Sequence, residues 1–205
     1  MTEQERKKRI KELRAELRGL QSIQRSDWHT AFEALLRLKM YKYKGVQIRS
    51  ETVIGIDAPR TNYLIVTDDV TQEFEETIFH IFRKVNVVEY KNPHDSLNWR
   101  IIHKICGYAH FLIGSAEHEH DISDDQVTIS IFRSVKNHEL FKKMSARGNL
   151  TKTENPGIYH VRGISNLPFQ IVITSELEGD EYAAYRALTD KASEIDIERV
   201  VRDLE

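Results

Sequence analysis

The sequence is short of most residues that advertise a function class. It has one cysteine in 205 residues, Cys106, so an internal disulfide framework and any C-x-x-C metal or redox motif are excluded. Prolines number four and glycines nine, too few for a collagen-like or low-complexity chain. No window approaches the roughly 18 uninterrupted apolar residues that a spanning helix needs. The opening MTEQERKKRIKEL is the opposite of a signal peptide, so a cytoplasmic protein without a membrane partner is expected. A net charge of −2 and a pI near 6.5 leave no global cationic field, and any nucleic-acid binding has to be local. Glycine-rich nucleotide loops, Walker-type loops, H-E-x-x-H and G-x-S-x-G are all missing.

What is present is a chain of 40% hydrophobic and 30% charged residues, the composition of a soluble globular domain. The length suits one domain with an appended helix. Ile10, Leu13, Leu17, Leu20 and Ile23 recur at spacings of three and four, which predicts an amphipathic helical arm over residues 1–23, separate from a body over 24–205. Such an arm suits packing on the body or on a second copy. Two basic clusters, Arg6 to Arg14 and Arg37 to Arg49, are read as solvated faces or as local contacts for a polyanion. A second helix is expected from an Asp27 N-cap to a stop at Gly45.

Beyond Gly45 the period changes. VQIRSETVI, NYLIVT and NVVEYK read as strands, with TQEFEETIFHIFRK between the last two read as a helix. SLNWRIIHKICGYAHFLIG is the longest apolar helix and ends at Gly114; Cys106 within it reads as a buried structural thiol. VTISIFR, GIYHVRG and FQIVITSEL follow as strands, and 179–205 is helical again. Helices before, between and after strands predict an α/β mixed sheet flanked by helices.

The third strand carries the chemistry. Residues two apart on a strand share a face, so Glu89 and Lys91 project together while Tyr90 points to the other side. They stand at a strand end, before Asn92 and Pro93, where open sheets place their sites. A carboxylate that binds a divalent cation beside a lysine that assists water or the transition state is a workable phosphodiesterase half-site. The same spacing also suits a plain cross-face charge pair.

The run VNVVEYKNPHDSLN followed by IIHKICGYAHFLIG resembles the PD-(D/E)xK nuclease superfamily, in particular its bacterial branch of recombination-promoting nucleases and transposase-like proteins. The words that match are Glu89 to Lys91, Pro93, Asp95 to Leu97 and Lys104 to Ala109, with PGIYHVRG and LPFQIVITSEL after them. The resemblance implies a restriction-endonuclease-like fold. It also implies a Mg2+ or Mn2+ ion held by Glu89, by the Tyr90 carbonyl and by an Asp on the preceding strand. That position falls on Asn62, and a Glu expected on the helix before the first strand falls near Lys39. An amide can ligate a hard cation but brings no charge. Asn62 is read as a natural change in a protein that no longer cleaves, as a substitution made to silence a nuclease, or as a sign that Asp57 or Glu51 supplies the missing charge.

Around this half-site, His94, Lys104 and Lys39, the last on the helix before the first strand, are candidates for contact with nucleic acid. His118, Glu119, His120 and Asp121 cluster in a polar loop that is short of a full zinc ligand set. The expected activity is Mg2+-dependent hydrolysis of DNA, impaired by Asn62. The alternative is a catalytically silent module that binds nucleic acid or protein.

Overall fold

The computed structural model describes residues 25–43, 45–53, 60–67, 73–92, 94–114, 122–189 and 192–203. The expected 1–23 arm, the first basic cluster, Asp57 and the 118–121 cluster lie outside them.

Seven strands form one mixed sheet: β1 (Val46–Val53), β2 (Arg60–Thr67), β3 (Val85–Lys91), β4 (Val127–Arg133), β5 (Leu150–Lys152), β6 (Ile158–Val161) and β7 (Phe169–Ile173). Their spatial order is β1-β2-β3-β4-β7-β6-β5. The first three make an antiparallel meander, β4 and β7 run parallel to β3, and β6 and β5 close the sheet antiparallel. The parallel step from β3 to β4 requires a crossover, supplied by helix α2 (Trp99–Gly114). Strands β3 and β4 are central and covered on both faces, which explains why VNVVEYK and VTISIFR read as near-continuous apolar runs.

One face packs against α2 and α3 (His138–Ala146). It gathers Val85 and Val87 of β3 and Ile129 and Ile131 of β4 beneath Ile102, Ile105, Ala109 and Leu112 of α2, residues spaced at three and four along one helix stripe. The opposite face packs against α1 (Arg25–Met40) through Phe32, Leu35, Leu36 and Met40, which meet Tyr63, Val88, Tyr90 and Phe132. The Phe32 ring stacks on Tyr90 with centroids 4.4 Å apart and lies 5.2 Å from Phe132. Truncating such a ring to Ala costs about 3–5 kcal/mol.

One buried polar side chain inside the sheet is fully engaged. Asn86, fully buried on β3, donates to the carbonyls of Ile65 at 3.1 Å and Arg83 at 2.7 Å, and accepts from the Arg83 N–H and the Thr128 hydroxyl. Cys106 is buried, as its place in an apolar helix predicts, and burial pushes its thiol up to about 11. Gly157 has φ of 81°, and a Cβ there would stand 2.8 Å from the Ile173 carbonyl. Only glycine fits that close turn between β5 and β6.

Several sequence expectations need correction. The 71–84 stretch is not an α-helix where described: it holds a single 3-10 turn at Thr77–Phe79. Phe79, His80 and Phe82 donate three residues back, to Glu76, Thr77 and Phe79, and the Tyr182 hydroxyl captures the Thr77 N–H. Tertiary burial of Phe74, Ile78, Phe79 and Phe82 outweighs the helical period here. Asp27 lies inside α1, which already includes Arg25. The C-terminal region is broken into a 3-10 turn at Asp180–Tyr182, α4 (Ala183–Ala187) and α5 (Glu194–Asp203). The Ser193 hydroxyl accepts from the Asp196 N–H at 3.1 Å and restarts the chain as α5. Both α3 and β5 went unread in the sequence.

Candidate active site

Alternation along β3 places Glu89 and Lys91 on the face covered by α2, since Val85 and Val87 belong to that core while Val88 and Tyr90 belong to the other. The Lys91 ammonium stands 2.5 Å from the Glu89 carboxylate, and the two side chains keep only 15% and 9% of their exposure. A pair this sheltered attracts more strongly than a surface pair.

Asn62 joins them from β2. Its neighbour Leu64 packs in the α2-side core and Tyr63 in the other, so Asn62 shares the face of Glu89. The paired register of β2 with β3 runs from Val66↔Val85 to Tyr63↔Val88. Beyond it, the Asn62 side-chain oxygen accepts the Tyr90 backbone N–H at 3.1 Å. Glu89, Lys91, Asn62 and the Tyr90 backbone are thus brought together at one strand end. The Tyr90 side chain points away into the aromatic core, where burial raises its hydroxyl well above the ordinary range.

The turn after β3 is fixed by Asn92, whose side-chain oxygen accepts the N–H groups of His94 at 2.9 Å and Asp95 at 3.0 Å. Arg133, opposite Lys91 in the parallel register, donates to the Asp95 carbonyl at 2.5 Å and to the Val135 carbonyl at 2.6 Å. Burial pulls the guanidinium below its usual range, opposed by the Asp95 charge. Sequence reasoning missed Arg133. Its only signal was a cation ending an apolar strand, as Lys91 does. Lys136 lies just past the same strand end, donating to the Tyr159 hydroxyl at 2.5 Å and to Glu176 at 3.2 Å.

Of the other sequence candidates, Lys39 is placed across the sheet from the pair. On α1, it pairs with Glu76 at 2.9 Å and donates to the Glu181 carbonyl at 2.8 Å. Within its basic cluster Arg37 pairs with Glu33 and Lys42 with Glu75, so much of that charge is locally neutralised. Lys104 is exposed on α2, 5.3 Å from the Tyr108 ring centre, and His94 is exposed on the turn beyond Asn92.

As a metal site, the donor set is right in kind and short of charge. A carboxylate, an amide oxygen and a backbone carbonyl are hard oxygens suited to Mg2+. They bring one negative charge, which Lys91 offsets. No group of three or more His, Cys, Asp or Glu side chains forms a metal cluster among the described residues, and no described helix is long and apolar enough to cross a membrane.

No family model, no curated protein and no solved structure matches the chain.

Proposed function

We propose that the chain is a PD-(D/E)xK-type phosphodiesterase acting on DNA, with a site weakened at its first metal ligand. The observation that carries this reading is the placement of Asn62 beside Glu89 on one sheet face, with Lys91 paired to that carboxylate. The topology is in keeping with it: a helix, an antiparallel three-strand meander, a crossover helix and a parallel strand, with E-x-K ending the third strand.

In this reading Glu89, the Tyr90 carbonyl and Asn62 hold a Mg2+ or Mn2+ ion, which when bound polarises the phosphoryl group and lowers the pKa of water. Lys91 holds its ammonium toward the developing charge on the phosphoryl oxygens. Arg133 acts indirectly, by tying the Asn92 to Asp95 turn to the end of β4 and keeping the strand end in place.

The test is cleavage of linear and nicked DNA with Mg2+ or Mn2+ by the full chain and by Asn62→Asp. The Asp variant is expected to cleave at least about a hundredfold faster, consistent with restoring a charged ligand. Glu89→Ala or Lys91→Ala in that background abolishes the activity. If neither protein cleaves, the nuclease reading fails. If both nonetheless bind DNA, with an affinity that falls steeply with salt, a silent binding module on the same fold takes its place.

A further inference from the structure

A cavity of about 580 Å³ runs along β6 on the face of the sheet opposite to that of Glu89 and Lys91. Its walls come from Arg83, two residues before β3 begins, from the β5–β6 turn, and from the β6–β7 turn that carries Arg162. Glu89 and Lys91 instead project from the other face of the sheet. This volume lies in the range of sites for small organic ligands.

Its charge is one-sided. Arg83, Arg162, His80 and His160 line it, and no carboxylate is among the lining residues. Neither arginine forms an ion pair among the described residues. One carboxylate touches the lining from outside: Asp124 accepts from the Asn166 amide. Guanidinium groups without a counter-ion among the described residues, next to neutral donors and acceptors, favour an anion with several acceptor oxygens. Burial, and next the Arg162 charge beside it, hold the His160 ring below the ordinary histidine value. It therefore offers a neutral ring near that cation.

The frame around these groups is set before any ligand arrives. The Asn149 carbonyl accepts the Arg162 N–H at 2.9 Å, and the Asn149 amide donates to the Arg162 carbonyl at 2.9 Å. Gly163, at φ of 69°, turns the chain immediately afterwards. On the floor, Gln170 donates to the Ile78 carbonyl at 2.7 Å and to the Ser130 hydroxyl at 3.0 Å, fastening the His80 and Arg83 segment to the sheet. A prebuilt site of this kind loses less ordering entropy when it binds.

We propose that this cavity binds a small phosphorylated ligand of nucleotide size, its phosphate held between Arg83 and Arg162 and its polar body reaching along β6 toward Asn155. The site does not depend on the nuclease reading and stays intact if that reading fails.

The experiment is calorimetric titration of the full chain with adenosine 5′-monophosphate, inorganic phosphate and, as a carboxylate comparator, succinate. Saturable one-to-one binding of at least one phosphate probe is expected, with a Kd at or below about 1 mM. Arg162→Gln and Arg83→Gln should each weaken it at least about tenfold, the size of a lost charged hydrogen bond. Arg162→Lys should weaken it less than Arg162→Gln, and Lys142→Ala, at an exposed position on α3, should leave it unchanged. Both arginines are exposed, and thermal melting checks that the variants fold. Absence of saturation by both phosphate probes, equal binding of succinate, or undiminished binding by both arginine→Gln variants overturns the proposal.

Discussion

The Asn62 side-chain oxygen accepts the backbone N–H of Tyr90 at 3.1 Å, one residue past the last paired position of β2 with β3. The residue at the weak point of the candidate metal site is therefore also a clamp on the strand end that carries Glu89 and Lys91. Asn62→Ala should remove the clamp at a cost of about 0.5–1.5 kcal/mol, with faster amide exchange at Tyr90. Asn62→Asp keeps an acceptor but sets a second carboxylate beside Glu89. Without divalent cations its melting temperature should not exceed that of the wild type; with millimolar Mg2+ it should rise, and by more than the wild type does. An equal response in both proteins would mean that no cation is held between positions 62 and 89.

The Glu89–Lys91 pair is sheltered enough for its charges to depend on each other. Lys91→Met leaves the carboxylate without its partner and should destabilise the protein by about 3 kcal/mol. Glu89→Gln combined with Lys91→Met removes both charges and should recover most of that loss. Denaturant midpoints of the two single variants and the double variant give the coupling directly. Additive effects would show that the pair is held by the scaffold and contributes no coupling of its own.

The part of this site that lies on one strand was legible in the sequence, because alternation needs only local spacing. Glu89 and Lys91 share a face for that reason, whereas Asn62 was located only by the resemblance, as the position where related sequences carry an Asp. Arg133 was not legible: it meets the Lys91 strand only through a parallel register set by a crossover of more than thirty residues. The stretch from Phe74 to Phe82 has helical spacing, yet the Tyr182 hydroxyl, more than a hundred residues away, takes its first amide. Lys39 suited a substrate role by position and is occupied by Glu76 and the Glu181 carbonyl, which no local pattern announces. Local period carried the strands; partners distant in sequence decided which charges remained available.

Tyr90 sits between the two site residues in sequence and across the sheet from them in space. Its hydroxyl is buried and has no hydrogen-bond partner among the described residues, while its ring stacks on Phe32. Tyr90→Phe should therefore leave DNA binding and cleavage unchanged, and leave stability equal or up to about 1 kcal/mol higher, because a desolvated hydroxyl is removed. A loss of more than about 1 kcal/mol on urea unfolding would show that the hydroxyl has a partner that stabilises the fold.

Glu76 gives a prediction whose sign is set by two opposing effects. Burial raises its carboxyl, and the Lys39 ammonium 2.9 Å away lowers it; burial is the larger, and the group stays above the ordinary glutamate value. One carboxylate oxygen is buried with no hydrogen-bond partner among the described residues. Because the folded state holds this proton to higher pH than the unfolded state, its contribution is fully present below the ordinary glutamate pKa and is lost as pH rises through the raised value. Glu76→Gln should therefore gain stability relative to the wild type as pH rises from about 4 to about 7, measured as the difference in urea midpoints across that range. A difference that moves the other way would mean that the Lys39 pair outweighs burial, and that Glu76 anchors α1 to the sheet as an ion.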